Sequence, residues 1–125
     1  MRKKRILFID DEASLTRSIK MNLDLLETYE ICTENRSRHA LETARKFLPD
    51  LIFLDVMMPE MDGGDVAAKF EADPLLRRTP IVFLTAILTQ EETKGQETRM
   101  GTWNYLAKPV DLETLVKCIE RHLPK

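Results

Sequence analysis

Ile6-Leu7-Phe8-Ile9-Asp10-Asp11-Glu12 decides the fold: four consecutive apolar residues that stop at three acidic ones. The pattern returns at Leu51-Ile52-Phe53-Leu54, which ends at Asp55, and at Ile81-Val82-Phe83-Leu84, which ends at Thr85. Short runs without alternation suit strands covered on both faces, as in a parallel sheet between helices. Two weaker strands are expected at Tyr29–Thr33 and Trp103–Leu106. Helical stripes lie between the runs. Leu15, Ile19, Leu23 and Leu26 form one, with Ser14 as its N-cap, and Ala40, Leu41, Ala44, Phe47 and Leu48 form a second that Pro49 stops. A shorter helix over roughly Asp65–Glu71 carries Val66, Ala67 and Phe70. The last stripe, Leu112, Leu115, Val116, Ile119 and Leu123, is capped by Asp111 and ended by Pro124. Thr89–Arg99 is polar throughout and contains Gly95, so it reads as a frayed helix. The alternation predicts an α/β fold, a doubly wound five-stranded parallel sheet with right-handed crossovers.

The chain has 125 residues, which suits one domain over 1–125. With 43% hydrophobic and 32% charged residues it has enough apolar content for one core without disulfides or metal staples. Nineteen basic residues against 21 acidic ones leave a net charge of −2, which argues against a nucleic-acid binder driven by bulk charge. Cys32 and Cys118 match neither a redox motif nor a zinc spacing and read as buried free thiols of a reducing compartment. His39 and His122 read as helix-surface residues, not as ligands. No apolar run approaches a membrane span. The basic Arg2–Arg5 is followed by only four apolar residues, short of the ~7–15 of a secretion signal. A cytoplasmic protein is expected. The four glycines, at 63, 64, 95 and 101, form neither a P-loop nor a dinucleotide fingerprint.

Position carries the functional reading. Asp10, Asp11, Asp55 and Thr85 all fall at the carboxyl ends of apolar strands, where open α/β sheets place their functional crevice. One aspartate after a strand means little. Three carboxylates converging on one crevice repel, and a cation would relieve that repulsion. Hard oxygen ligands select Mg²⁺ or Mn²⁺. Lys108, just after the last strand, could add a positive charge to the same rim, and Thr85 a hydroxyl, with the small Ala86 leaving room beside it. Metal, ammonium and hydroxyl would match the three equatorial oxygens of a transferring phosphoryl group. Asp55, alone at its strand end, is the natural nucleophile.

Four segments then carry a resemblance that spans essentially the whole chain. They are Ile9-Asp10-Asp11-Glu12, Leu54-Asp55-Val56-Met57-Met58-Pro59-Glu60-Met61-Asp62-Gly63, Leu84-Thr85-Ala86 and Tyr105-Leu106-Ala107-Lys108-Pro109. In this order and spacing the sequence resembles the receiver domain of bacterial two-component response regulators. The resemblance implies a flavodoxin-like (βα)5 fold with strand order 2-1-3-4-5. It implies that Asp55 accepts a phosphoryl group from a phosphohistidine of a sensor histidine kinase or phosphotransfer protein. Asp11, Asp55 and the Met57 carbonyl would bind the metal, with Asp10 helping through a water. Lys108 would contact the phosphoryl group ahead of a cis bond to Pro109. Thr85 and Tyr105 would be the switch pair, reorienting on phosphorylation. Such a domain modifies only itself and is not an enzyme acting on a separate substrate.

Several features depart from that pattern. The segment that should hold the switch helix, Thr89–Arg99, is unusually polar. Trp103 stands where the family generally has a small or polar residue. It reads either as a half-exposed packing ring or as a recognition anchor on a partner surface. Met57 and Ile87, two residues beyond Asp55 and Thr85, are apolar and offer no group to orient a hydrolytic water, which predicts a persistent phosphorylated state. A degenerate receiver acting as an interaction module is disfavoured because every acidic, hydroxyl and lysine position is intact. A haloacid-dehalogenase-type phosphatase would want a second aspartate two residues after the nucleophile, where Met57 stands. After the last helix only Leu123-Pro124-Lys125 remain, so no output domain is expected here. The expected partners are a kinase or phosphotransfer protein and a downstream protein target or relay acceptor. Neither nucleic acid nor membrane is expected to bind, and the chain is expected to be a monomer or a phosphorylation-dependent dimer.

Overall fold

The structure, a computed structural model, describes residues 2–123. Strands β1 (Lys4–Ile9), β2 (Tyr29–Glu34), β3 (Leu51–Asp55), β4 (Ile81–Thr85), β5 (Thr98–Met100) and β6 (Trp103–Ala107) form one sheet in the order β2-β1-β3-β4-β6-β5. The first four and β6 are parallel to one another, as the apolar runs predict. Helices α1 (Ala13–Asp24), α2 (Ala40–Phe47), α3 (Gly63–Ala72), α4 (Gln90–Thr93) and α5 (Leu112–His122) complete the chain.

Because successive strand residues point to opposite faces, the apolar runs feed two cores. Ile6, Phe8, Leu51, Phe53, Val82, Leu84 and Leu106 pack against Ile19 and Leu23 of α1 and Leu115, Cys118 and Ile119 of α5. Leu7, Ile9, Ile52, Leu54 and Phe83 pack against Ala40 and Ala44 of α2 and Val66, Ala67 and Phe70 of α3. Phe8 and Phe53 stack across β1 and β3 with ring centroids 4.8 Å apart.

The sheet has six strands where five were expected. The expected helix over Thr89–Arg99 is a single turn, followed by an added edge strand antiparallel to β6. The reason is chemical. Thr89 and Glu92 form a reciprocal capping box, but only Thr93 is buried and no apolar stripe follows to hold further turns. Lys94 and Gly95 both take positive φ, 55° and 67°, and end the helix. Gly101, at φ 63°, then opens the two-residue turn that pairs Met100 with Trp103.

Smaller corrections follow local chemistry. Helix α1 begins at Ala13 with Glu12 at the cap position and no side-chain cap, so Ser14 is inside the helix. Leu26 lies beyond α1, where Glu27 takes φ 57° and turns the chain. Leu48 sits past α2 in the left-handed region, because the following Pro49 disfavours the helical conformation there. Helix α3 runs two residues further forward than expected, capped by Asp62, whose side chain accepts from the Asp65 amide. Asp111 caps α5 as expected, and Pro124 lies outside the described residues. Cys118 is buried but Cys32 only half-buried, and both are free. His39 lies exposed at the end of a short 3-10 helix, Ser37–His39, that leads into α2.

Trp103 is half-buried and meets Phe83 edge-on, with ring centroids 5.2 Å apart. Packing is therefore what the structure shows for it. Trp103→Ala should lower stability by about 2 kcal/mol, on the scale of a partly buried aromatic truncation. Chemical denaturation measures this, and an unchanged midpoint would show that the ring does not hold the fold.

Candidate functional site

The strand register builds the site. Ile9 pairs with Leu54 across β1 and β3, so the next residues, Asp10 and Asp55, emerge side by side at the carboxyl edge. Asp10 is 1% and Asp55 6% exposed, whereas Asp11 is exposed at the rim. Carboxylate oxygens of Asp10, Asp11 and Asp55 all lie within 4.8 Å of one another. Thr85 is buried at the end of β4, and its Oγ1 accepts from the Ile87 amide at 3.0 Å. Ala86 is exposed beside it, and Met57 is exposed in the loop after β3.

Lys108 closes the rim. Its amide donates to the Thr85 carbonyl at 2.8 Å, which brings the loop after β6 back over β4. Its Nζ lies 2.6 Å from Asp10 Oδ2, 3.4 Å from Asp55 Oδ1 and 3.4 Å from Glu12 Oε1. The Lys108–Pro109 peptide is cis, as expected from the resemblance. Tyr105 is half-buried and stacks on Phe83 with centroids 5.2 Å apart. It lies on the same sheet face as Thr85, because positions 83, 85, 103 and 105 alternate alike along registered strands.

Burial and the Asp10 charge push the Asp55 carboxyl up to about 6, against the opposing pull of Lys108. For Lys108 burial alone would lower the pKa. The Asp10 carboxylate first, and then Asp55 and Glu12, outweigh that and raise it. Two nearly buried carboxylates thus share one ammonium, and one negative charge is uncompensated. Asp10 Oδ2 is buried and, although close to the ammonium, makes no directed hydrogen bond. A carboxylate oxygen in that state, beside two more, fits a hard divalent cation such as Mg²⁺.

Sequence reasoning named every rim residue but missed three supports. Asn35, the residue after β2, donates through Nδ2 to the Asp10 carbonyl and to Thr16 Oγ1, both at 2.8 Å. Glu12 is a third carboxylate partner of Lys108. Gly63 is the least visible. A Cβ there would lie 2.3 Å from the Asp55 carbonyl oxygen and 2.9 Å from Val56 Cα, so α3 begins against the backbone that carries Asp55. Its amide donates to the Val56 carbonyl at 2.8 Å. An acidic residue followed by glycine eight positions after Asp55 was the available signal, and its role is a packing constraint that only the tertiary contact reveals.

An open α/β sheet with an acidic pocket, a lysine and a hydroxyl at one carboxyl edge defines the class. The model of the response regulator receiver domain matches residues 6–120, and the chain belongs to that family. It is 40% identical over 107 residues to the response regulator PleD of Caulobacter vibrioides, covering 86% of this chain and 23% of PleD. It is 34% identical over 119 residues to the regulatory protein AtoC of Escherichia coli, covering 95% of this chain and 25% of AtoC. The chain thus spans about a quarter of the length of these curated relatives. The solved structure of the chemotaxis protein CheY4 of Vibrio cholerae superposes with a TM-score of 0.81 at 30% identity, covering 98% of this chain and 100% of that one.

Two predictions follow from this geometry. Asp55 titrates higher in the fold than in the unfolded chain, so the folded state holds its proton longer. Stability contributed by this group is complete below about pH 4 and is lost as pH rises through about 6. In metal-free buffer at pH 7.5, Asp55→Asn should therefore raise the unfolding free energy by about 1–3 kcal/mol and flatten the stability profile between pH 4 and 6. Superimposable pH profiles for the two proteins would contradict this. Gly63→Ala should cost about 2 kcal/mol or more, because backbone atoms must move to admit the methyl group. Thermal unfolding beside Gly64→Ala, where a Cβ would meet only the Asp62 side chain at 3.4 Å, gives the control.

Proposed function

We propose that this chain is the phosphoacceptor of a two-component phosphorelay, with Asp55 taking a phosphoryl group from a phosphohistidine. The observation that carries the reading is the Lys108 ammonium seated between Asp10 and Asp55 in a pocket where three carboxylates converge. Asp10, Asp11, Asp55 and the Met57 carbonyl would hold Mg²⁺, with Mn²⁺ an alternative. The ion would supply the positive charge that the carboxylates and the phosphoryl oxygens need.

A carboxylate oxygen of Asp55 attacks phosphorus, the phosphorus–nitrogen bond breaks, and the histidine leaves with the bonding pair and takes up a proton. With its carboxyl at about 6, Asp55 is mainly ionised at cytoplasmic pH and available as the nucleophile. Lys108 sits where it can follow negative charge from Asp55 to the transferred group. Thr85 Oγ1 accepts from the Ile87 amide and still has its own O–H to donate, so turning toward a phosphoryl oxygen would exchange its present orientation for one with a charge-assisted hydrogen bond. That exchange moves Thr85 and frees space for Tyr105 to rearrange on the same sheet face. Trp103, on that face too, would border the surface a downstream protein reads. The chain turns over no separate substrate in this reading and works in the cytoplasm. Its partners are a sensor histidine kinase or phosphotransfer protein and a downstream target or relay acceptor. Phosphorylation would leave it a monomer or drive a dimer. Among the described residues, no helix is long and apolar enough to cross a membrane.

Incubation with Mg²⁺ and acetyl phosphate or phosphoramidate tests this. The expected product carries one hydroxylamine-sensitive phosphoryl group per chain, absent in Asp55→Ala and absent after EDTA treatment. Labelling that survives in Asp55→Ala would overturn the assignment. Met57 and Ile87 are 67% and 62% exposed and flank the site with apolar surface. The label should therefore persist for minutes or longer once donor is removed, and a half-life of seconds would contradict their shielding role.

A further inference from the structure

Far from the acidic rim, the structure brings a second set of ligand-type side chains together between α5 and the segment that leads into β5. Cys118 and His122 stand four residues apart on α5 and so face the same way, one above the other. Glu97 reaches them from the residue before β5. One ligand atom from each of the three lies within 4.8 Å of the other two. Cys118 is 1% exposed, and the Glu97 and His122 side chains are 5% and 17% exposed. His122 is thus a half-buried member of a cluster and not the surface histidine the sequence suggested.

We propose that Glu97, Cys118 and His122 form a Zn²⁺-binding site that staples the α4–β5 segment to α5. The donor set decides the metal. Thiolate, imidazole and one carboxylate oxygen suit zinc, whereas the all-oxygen rim at Asp55 suits magnesium. Tetrahedral zinc bonds of ~2.0–2.3 Å place neighbouring ligand atoms ~3.3–3.7 Å apart, within the spread seen here. His122 Nε2 and Glu97 Oε2, now 2.7 Å apart, have only to open slightly. Arg121 Nη1 donates to the other oxygen, Oε1, at 2.5 Å, so the carboxylate is already oriented with Oε2 toward the imidazole. A cavity of about 330 Å³, lined by Gly95, Gln96, Glu97, Thr114, Lys117 and Arg121, opens on the Glu97 side of the cluster.

The proton balance is simple. Burial first, and then the Glu97 charge, push the Cys118 thiol up, so it carries its proton in the metal-free chain. Burial opposes ionisation of Glu97, but the hydrogen bonds of His122 and Cys118 and the charges of His122 and Arg121 prevail and lower its pKa. Zinc binding would release the thiol proton, and any proton on His122 Nε2, to solvent, with no change of oxidation state. The staple has a structural purpose. Helix α4 is one turn long, and the segment after it has little apolar anchorage.

The test is titration of the chelator-stripped chain with Co²⁺ and then Zn²⁺, with Mg²⁺ in excess to occupy the acidic rim. The expected result is one equivalent of Co²⁺ giving thiolate-to-cobalt charge-transfer absorption and the intense d–d bands of a four-coordinate ion, displaced by one equivalent of Zn²⁺. Cys118→Ala should remove the charge-transfer band. Cys118→Ser, which keeps the volume, gives the same readout if the alanine variant does not fold. His122→Asn, in the last turn, should weaken binding at least tenfold with unchanged far-ultraviolet circular dichroism, and Asp55→Asn should leave the signal intact. A cobalt spectrum without a thiolate band, a band that survives in both Cys118 variants, or binding lost with Asp55→Asn overturns the proposal and leaves the three residues as a hydrogen-bonded anchor.

Discussion

Asp10 and Asp55 cannot avoid each other. They leave adjacent parallel strands at registered positions, and neighbouring strands stand only ~4.8 Å apart. Both side chains are nearly buried, where like charges interact more strongly than in water. The surrounding structure answers that repulsion. The backbone bond from Lys108 to Thr85 brings an ammonium over the pair, and Asn35 holds the Asp10 backbone. The close start of α3 at Gly63 fixes the Asp55 backbone from the other side. One ammonium cannot neutralise two carboxylates and the rim residue Asp11 as well, so the arrangement remains receptive to a cation. Burial first, and then that imbalance, make the Asp55 carboxyl a weaker acid than an exposed aspartate.

The sheet sets the acidic pair and the Thr85–Tyr105–Trp103 group on opposite faces. Asp10 and Asp55 project with Phe8 and Phe53 toward the α1–α5 side, while Thr85, Tyr105 and Trp103 share the other face with Phe83. Thr85 stands where the rim meets that second face, and among the described residues its hydroxyl is held by the Ile87 amide alone. The surface beyond is built unusually. Instead of a full helix it has one capped turn, pinned where Gln90 Nε2 donates to the Ala107 and Pro109 carbonyls, and then a short edge strand. Glu97 ties the same segment to the end of α5 through Arg121 and His122. Few apolar contacts and several polar tethers make this region the natural place for a low-cost rearrangement.

Much of this was legible from residues alone. Each apolar run is too short and too uniformly apolar to be a surface helix, so the parallel strands and the acidic carboxyl edge could be read directly. Asp10, Asp11, Asp55, Thr85 and Lys108 were found because strand ends concentrate functional groups. Boundaries were less legible. Ser14 and Leu26 satisfy helix rules locally, yet Glu12 occupies the cap position and the chain turns at Glu27 before Leu26 can pack.

The layering and the identity of the rim could be read along the chain, because hydrophobic period and strand-end chemistry are local properties. Folding alone established the contacts between segments distant along the chain. It set the 2.6 Å approach of Lys108 to Asp10, the need for glycine at 63, the edge strand at Thr98–Met100, and the meeting of Glu97 with Cys118 and His122. Each depends on the register and direction in which folded elements meet, and no periodicity within a single segment encodes that.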